Sequence, residues 1–291
     1  MIFRSLEKDD DLLIKKFLIN TNNLYWEFSF NSLSCYKEML EPKIYVNSDT
    51  LFLEILYLEE YYYYYVSILK NNANSNLEKI FAHIKEESIK KFHVYLNEEE
   101  IIELDENNYA YSFNDDYSDY IYNAKDLTEL NGKKYHNKKN FITRFMNSYT
   151  NYSLEEYRVE FESKLLTFLK GWYHHHNALI TLDEEESVIE NIIKTPDHFN
   201  LTISLLLVNN EIVAFTIFEN NNYYANVLFE KADINYQGSY QTINYLNANK
   251  YFKNLIYINR QEDMGIDGLR TAKQSYHPAF LLRRYEIKEI N

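Results

Sequence analysis

The sequence has little cysteine, proline or glycine, with one, three and five copies in 291 residues. A single thiol, Cys35, excludes an internal disulfide and favours a reducing compartment, and we interpret it as a packed residue without chemistry. No apolar run approaches the roughly 20 residues that span a bilayer. The N-terminus also lacks the basic and apolar stretches of a signal peptide. These absences predict a cytoplasmic protein without a transmembrane segment.

Positive charge is scarce as well. The net charge of −14 excludes a broadly basic surface, so a nucleic acid or an anionic membrane would have to meet a local patch. One such patch lies between Asn131 and Arg144, which holds five positive charges and no acid, while the rest of the chain carries −19. On charge alone, a solvated helix face is the simpler interpretation of this segment.

The length is sufficient for two ordinary domains. In the first half, a short helical pattern precedes three strand-like runs, a helix with a capping box at Ser75 and Glu78, and a further strand. These elements are expected at 11–18, 43–46, 51–58, 61–69, from about 75, and at 92–96. The acidic, Asn-rich stretch 98–119 is interpreted as a connection between domains. The boundary near Asp119 predicts domains at 1–118 and 119–291.

The second half has more regular signals. A capping box at Ser153 and Glu156 predicts an amphipathic helix directly after it, and a second helix from about Asp183 is barred from continuing by Pro196. Three strands then form an antiparallel meander joined by short Asn-rich turns. The remaining elements are a helix that Gly238 opens, a short strand, a helix and a last strand. The expected ranges from the meander onward are 201–208, 211–219, 223–230, 238–252, 255–258, 265–276 and 280–287.

This order of elements is that of a GNAT-type acyltransferase domain, and the first half has a looser version of the same order. We therefore predict a mixed α+β (α/β mixed) fold of two tandem GNAT-like domains. Each domain is expected to contain a mixed, mostly antiparallel sheet flanked by helices.

Two stretches carry a more specific resemblance. Residues 119–140 contain a tyrosine-rich strand, the sequence Gly-Lys-Lys-Tyr-His and a basic helix. Residues 257–278 contain an acidic residue, two spaced glycines, Leu-Arg, a lysine and an aromatic-His-Pro end. Both resemble the C-terminal catalytic domain of the phosphatidylglycerol lysyltransferase family. The resemblance implies transfer of an aminoacyl group from aminoacyl-tRNA to an acceptor, which is an anionic phospholipid in the named lysyltransferases. Their catalytic domain is fused to a multi-span membrane part that this sequence lacks, so the acceptor stays open.

The best catalytic candidates lie in the second stretch. Asp263 before a predicted helix and Arg270 and Lys273 within it would supply a carboxylate and two cations for an aminoacyl ammonium and an ester or phosphate oxygen. Asp263 would orient or deprotonate the acceptor, and a cation would face the oxyanion. The alternative is helix capping by Asp263 with two ordinary surface charges.

Two further sets of residues follow from the same resemblance. The predicted substrate-binding residues are Gly238, Ser239, Tyr240, Arg260, Glu262, Tyr276 and His277. The predicted nucleic-acid or phosphate-binding residues are Lys133, Lys134, His136, Lys138, Lys139 and Arg144. The basic set is expected to contact tRNA and, as a weaker expectation, an anionic lipid surface.

Two other functions remain open at this point. An acyl-CoA-dependent GNAT enzyme would place a pyrophosphate on the hexapeptide 235–240, but its first residue is Asn235 and its last is the bulky Tyr240. A non-catalytic binding protein could retain the fold. The triplet 174–176 of histidines lacks partner ligands in the sequence, so no metal site is predicted.

Overall fold

The computed structural model describes residues 1–21, 23–176, 182–221 and 223–290, with side chains except at 176, 182 and 183. Its α-helices are α1 Asp10–Thr21, α2 Phe30–Cys35, α3 Lys37–Leu40, α4 Ala73–Glu86, α5 Glu98–Ile101, α6 Ala124–Glu129, α7 His136–Ser148, α8 Glu162–His176, α9 Leu182–Lys194, α10 Ser239–Asn247 and α11 Asp267–Gln274. A π-helical turn, Ala248–Phe252, extends α10. Its strands are β1 Arg4–Ser5, β2 Lys43–Val46, β3 Thr50–Tyr57, β4 Glu60–Ser67, β5 Phe92–Leu96, β6 Tyr109–Phe113, β7 Asp119–Asn123, β8 Tyr152–Glu156, β9 Thr202–Val208, β10 Glu211–Asn220, β11 Tyr224–Ala232, β12 Tyr257–Asn259, β13 Phe280–Leu282 and β14 Tyr285–Glu289.

The first sheet has the order β1-β2-β3-β4-β5-β14-β6. Strands β1, β2, β3 and β4 pair antiparallel with one another in that order, whereas β4 and β5 run parallel. Apolar side chains cover both faces: one layer includes Ile14 of α1 and Leu53, and the other includes Ile80 of α4 and Phe52. The tyrosine run 61–65 lies on β4, where Tyr63 is fully buried. This confirms the interpretation of that run as a buried or half-buried strand.

The second sheet has the order β13-β7-β12-β11-β10-β9-β8. Strands β9, β10 and β11 form the predicted antiparallel meander, and β11 then pairs in parallel with β12. Eight consecutive residues of β10 are buried, because helices cover both faces of the strand. On one face, Phe145 of α7 and Ile243 of α10 pack against Leu206 and Ala214.

The chain divides into two compact units, and the division is not a single cut along the sequence. The first unit contains residues 1–119, 262–267 and 281–291, and the second contains 120–261 and 268–280. Each unit has helices followed by a three-strand meander, a helix and a parallel strand. The predicted mixed α+β class with two helix-flanked sheets is therefore confirmed.

Several local predictions were wrong. Ser153 and Glu156 do not cap a helix, because Tyr152–Glu156 forms β8 against β9 and the helix begins at Glu162. Ser75 lies inside α4, whose N-cap is Asn72. The stretch interpreted as a connection contains α5 and β6, and β6 pairs with β14. The expected single strand at 280–287 is two strands in two different sheets.

In the described part of the chain, no helix combines the length and apolar composition needed to cross a membrane.

Candidate functional site

A gap opens in the second sheet where two parallel strands diverge. Strands β11 and β12 pair only from Tyr224 with Tyr257 to Asn226 with Asn259. Beyond that point β12 ends, while β11 continues to Ala232 with β10 as its partner. A register shift of β10 against β11 next to Leu228 marks the same place as irregular. The carboxyl-terminal half of β11 therefore has one side without a neighbouring strand.

Charged and aromatic side chains fill this gap, and we call them the Arg260 cluster: Arg260, Glu230, Tyr122, Tyr276 and Lys138. The Nη2 atom of Arg260 lies 2.8 Å from Oε1 of Glu230, and both side chains are nearly buried. Burial acts to lower the pKa of Arg260, but the Glu230 carboxylate together with Tyr122 and Tyr276 outweighs it, so the net change in pKa is upward. The Nη1 atom of Arg260 is buried without a hydrogen-bond partner among the described residues. One face of this guanidinium can thus still donate.

Lys138 brings a second cation to the cluster without a second acid. Its Nζ donates to Oγ of Ser275 at 2.6 Å and lies 3.9 Å from the centre of the Tyr276 ring. None of the ion pairs found in the described part of the chain includes Lys138. Burial and the charge of Arg260 lower the pKa of Lys138 to about 8. The cluster therefore has two cations and one carboxylate, which pairs with Arg260 alone among the described residues, and this balance favours an anionic ligand.

The two tyrosines supply neutral walls. Arg260 lies 5.2 Å from the centre of the Tyr276 ring and 5.9 Å from that of Tyr122. Burial raises the pKa of both phenols, so they stay uncharged near neutral pH. The hydroxyl of Tyr122 donates to the carbonyl oxygen of Lys273 at 2.8 Å, and that of Tyr135 donates to the carbonyl oxygen of Tyr276 at 3.1 Å. These bonds hold the segment after α11 against β7 and the start of α7.

The backbone on either side of Arg260 is fixed by hydrogen bonds. The Arg260 N–H donates to the carbonyl oxygen of Tyr120, and the next N–H, of Gln261, donates to the side chain of the buried Asn259. The ammonium of Lys273 donates to the carbonyl oxygens of Arg260 and Gln261 at 2.8 and 3.1 Å. Gln261 is held at a positive φ of 57°, which is unusual for a residue other than glycine. The guanidinium is thereby presented on a preformed turn.

The three predicted catalytic residues do not all join this cluster. Lys273 is buried and contacts the Arg260 segment through backbone carbonyls. Arg270 is partly exposed on α11. Asp263 is fully buried in the first unit, where its Oδ1 accepts the N–H of Gly265. Glu262 also belongs to that unit.

Gly238 and its neighbours have a packing role in the structure. Gly238 has φ of 93°, and a Cβ atom there would meet the carbonyl oxygen of Phe141 at 2.5 Å. The N–H of the next residue, Ser239, donates to the carbonyl oxygen of Tyr236, and its hydroxyl donates to that of Asp233. Helix α7 therefore packs closely on the start of α10, which is the place where a bound phosphate would need accessible backbone N–H groups.

The remaining basic and imidazole residues lie on the surface of the second unit. Five of the six predicted phosphate-binding side chains are exposed, namely Lys133, Lys134, His136, Lys139 and Arg144. His277 is exposed, with its ring against Tyr135. In the histidine triplet, Nδ1 of His175 lies 2.6 Å from the carbonyl oxygen of Gly171, and the side chain of residue 176 lies outside the described residues.

The corresponding gap in the first unit has a small cavity lined by aromatic rings and by Arg284, which the carboxylates of Glu27 and Asp119 neutralise. Strands β4 and β5 pair in parallel only as far as Tyr63 with Val94. Just beyond, Tyr64 and Tyr95 stack with ring centres 5.3 Å apart. Of the two gaps, the one in the second unit is therefore the candidate site.

Sequence reasoning missed Glu230 as a member of the site, and it gave Tyr122 only as part of a family strand. Glu230 lies in a strand whose other residues are almost all buried and apolar. A charged residue in such a strand was the available signal, since burial of a carboxylate requires a partner.

The fold is that of an acyltransferase-like protein. The family model "Phosphatidylglycerol lysyltransferase, C-terminal" matches residues 68–288. The chain therefore belongs to the phosphatidylglycerol lysyltransferase C-terminal family. Among curated proteins, an uncharacterised protein of Mycoplasmoides gallisepticum is 24% identical over 174 residues, which are 60% of this chain and 56% of that protein. The chain thus spans just over half of the length of that relative.

Solved structures extend the likeness to the whole chain. A conserved protein of unknown function from Bacteroides thetaiotaomicron is 28% identical over 100% of both chains, with a TM-score of 0.90. L-PGS from Bacillus licheniformis is 12% identical over 98% of this chain and 93% of its own, with a TM-score of 0.67. A tandem GNAT protein from the clavulanic acid biosynthesis pathway is 7% identical over 99% and 98%, with a TM-score of 0.53. The last two show a shared fold, which is GNAT-like.

Proposed function

We propose that this protein transfers an aminoacyl group from aminoacyl-tRNA to an acceptor, with the gap beside β11 as the active site. The observation that carries the proposal is that Lys138 and Arg260 lie at this gap with one carboxylate, Glu230, which pairs with Arg260, in a chain of the lysyltransferase family. The name of that family describes lysyl transfer to phosphatidylglycerol. Neither the amino acid nor the acceptor follows from the site, so both are left general.

The chemistry needed is attack on an ester carbonyl. The acceptor's hydroxyl or amine forms the new bond to the carbonyl carbon, the ester C–O bond breaks, and the acceptor's proton passes to the ribose oxygen that leaves. Negative charge develops first on the carbonyl oxygen, and buried cations stabilise it better than water does. Arg260 and Lys138 are placed to supply that charge, and Glu230 holds Arg260 in position.

The roles of the predicted catalytic trio are part of the proposal. Lys273 acts by positioning, because its ammonium donates to the backbone on which Arg260 is mounted. Arg270 would meet the acceptor or the RNA from the exposed side of α11. Asp263 is given no role at this site, because it is fully buried in the first unit, where its carboxylate accepts the N–H of Gly265.

The proposed tRNA contact is the exposed basic face of the second unit. Lys134, Lys139 and Arg144 lie on or just before α7, the helix that also carries Lys138. Phosphates of an acceptor stem would meet these charges, and the strongly negative remainder of the chain would keep RNA from binding elsewhere. An anionic lipid surface is the alternative partner for the same charges.

The test is transfer from tRNA charged with labelled amino acids, with and without phosphatidylglycerol liposomes. Loss of label from tRNA should be accelerated by the wild type and by Lys250→Met, a control that alters an exposed lysine lying 4.8 Å from the Tyr251 ring. It should be abolished in Lys138→Met. Unchanged label combined with thermal stabilisation by acetyl-CoA would reject the proposal in favour of an acyl-CoA enzyme. Stabilisation by neither donor would favour a non-catalytic binding protein.

A further inference from the structure

We propose that Lys138 and Arg260 together bind one phosphodiester group at the 3′ end of the RNA donor. This inference rests on the proposed function, because it names the group of the RNA donor that the same two cations hold when the donor binds. It is built from three observations on the second unit: an unused guanidinium donor, an ammonium without an acid, and a helix with exposed cations but no exposed apolar side chain.

The unused hydrogen-bonding capacity lies in the two cations. Arg260 donates to Glu230 through Nη2, whereas its buried Nη1 has no partner among the described residues. The ammonium of Lys138 has three protons, and one is directed at Ser275. Both cations lie against the same Tyr276 ring. A tetrahedral phosphate offers several acceptor oxygens, so a single group can accept from both side chains at once.

The charge balance favours an anion at this place. Glu230 neutralises Arg260, which leaves the half-buried Lys138 without a counterion among the described residues. Such a charge is unfavourable in a water-poor site unless an anion binds. A phosphodiester carries a single negative charge, which matches the single uncompensated cation.

The surroundings favour RNA over a lipid headgroup. Side chains that insert into a membrane surface are large, apolar and exposed. Among the described residues, none of the exposed large hydrophobic side chains falls between 131 and 148, the segment that contains α7. The same segment exposes four cations, Lys133, Lys134, Lys139 and Arg144. A run of cations leading to a half-buried lysine fits a chain of phosphates better than it fits one headgroup.

The groups around Lys138 predict how RNA binding depends on pH. The groups that face Lys138 are Arg260, which stays charged, Tyr276, whose phenol stays neutral, and the hydroxyl of Ser275. The Glu230 carboxylate lies behind Arg260, Tyr122 is also neutral, and the imidazoles of His136 and His277 are exposed. Because the pKa of Lys138 is lowered to about 8, RNA affinity should fall as the pH rises from 7 to 9. A bound phosphate would move this fall to somewhat higher pH.

The experiment measures binding of a fluorescein-labelled CCA trinucleotide by anisotropy at pH 7 and pH 9, with inorganic phosphate as competitor. Lys138→Met should weaken binding about tenfold or more at pH 7, since a charge-assisted hydrogen bond is removed. Lys138→Arg should bind nearly as tightly as the wild type and lose the decrease at pH 9, because arginine stays protonated. Lys250→Met should match the wild type at both pH values. A thermal melt of each variant verifies that it is folded.

Two binding results would overturn the inference. One is equal CCA affinity of wild type and Lys138→Met. The other is Lys138-dependent binding to phosphatidylglycerol vesicles without Lys138-dependent binding to CCA, which would assign the cations to a lipid headgroup. Failure of the proposed function looks different: CCA binding would depend on Lys138, while no labelled amino acid would leave charged tRNA. Full transfer activity in Lys138→Met would reject both the phosphate site and the role of Lys138 in the transfer.

Discussion

At the scale of single residues, Arg284 is buried and Lys138 is half-buried, but only Arg284 is paired with acids among the described residues. In the first unit, the Arg284 guanidinium donates to both carboxylate oxygens of Glu27, to Asp119 at 3.0 Å and to the carbonyl oxygen of Tyr117. The pKa of Arg284 is raised, because these acids outweigh its burial. Arg284 therefore belongs to a structural ion cluster, whereas Lys138 has the unmatched charge of a binding site.

Replacing Lys138 by methionine should not destabilise the protein. The pKa of Lys138 is lowered from 10.5 to about 8, so the unfolded state binds this proton more tightly than the folded state does. Below pH 8 the full destabilisation is present, and it disappears as the pH rises from about 8 to 10.5. Lys138→Met should thus equal or exceed wild-type stability at pH 7, by up to about 1–2 kcal/mol given the partial exposure of the side chain. Urea unfolding at pH 7 and pH 10 checks this, and a large loss of stability at pH 7 would contradict it.

Removing the guanidinium of Arg284 should have the opposite effect. Arg284→Met leaves the carboxylates of Glu27 and Asp119 buried without their cation, so a loss of about 3–5 kcal/mol is expected. The neighbouring Arg283 pairs with the exposed Asp115, and Arg283→Met should lose at most about 1 kcal/mol. Guanidinium chloride unfolding of the two variants provides the comparison. Equal losses of stability in the two variants would show that the buried ion cluster stabilises the protein no more than the pair of Arg283 and Asp115 does.

At the scale of elements, the packing of α7 against the start of α10 favours glycine at position 238. Gly238→Ala places a Cβ atom in a left-handed conformation against the Phe141 carbonyl oxygen, so a loss of about 1–3 kcal/mol is expected. Gly171, within α8, has nothing within 4 Å of the position that a Cβ atom would take, and Gly171→Ala should gain about 0.4–1 kcal/mol. Thermal unfolding measures both. A neutral Gly238→Ala would mean that α7 and α10 can separate at no cost in stability.

Helices and strands were predicted correctly where a hydrophobic pattern extends over many residues. They were predicted wrongly where the prediction rested on a short polar motif. The β9-β10-β11 meander and helix α9 were predicted close to their observed bounds, because buried residues recur over many positions. The capping pattern at Ser153 was misread, because β9 needs an edge partner and Tyr152–Glu156 supplies it. A four-residue pattern stabilises a helix end weakly and gives way to such pairing.

At the scale of the whole molecule, the two sheets have similar strand arrangements. They differ in the side chains that lie where their two parallel strands diverge. Tyr64 and Tyr95 stack at one gap, while Arg260, Glu230 and Lys138 occupy the other. The gap in the first unit also has an arginine, since a small cavity there is lined by Tyr64, Tyr95 and Arg284. That arginine is paired with the carboxylates of Glu27 and Asp119, whereas none of the ion pairs among the described residues includes Lys138 at the other gap.

The distribution of charge over the molecule predicts how salt affects RNA binding. Lys134→Gln combined with Lys139→Gln should weaken tRNA binding and reduce the slope of log affinity against log salt by about 1.4, or about 0.7 for each phosphate of a single strand that no longer meets a lysine. The matched pair Lys250→Gln and Lys253→Gln removes the same charge from another exposed part of the second unit. It should leave the slope nearly unchanged. Filter binding from low to moderate salt checks the prediction, and equal slopes for the two double variants would reject the local patch.

The sequence by itself determined the class of fold, the meander, the basic segment and the family, because periodic burial and local motifs are written in consecutive residues. It also drew attention to Arg260, Tyr276 and Lys138, but in two separate sets. Only the tertiary structure decided that these three meet Glu230 at one gap, and that Lys138 turns inward while Lys139 faces solvent. The reason is physical: strand pairing brings Arg260 to Glu230, 30 positions away, and the packing of α7 brings Lys138 to Ser275, 137 positions away, and no local pattern encodes that proximity.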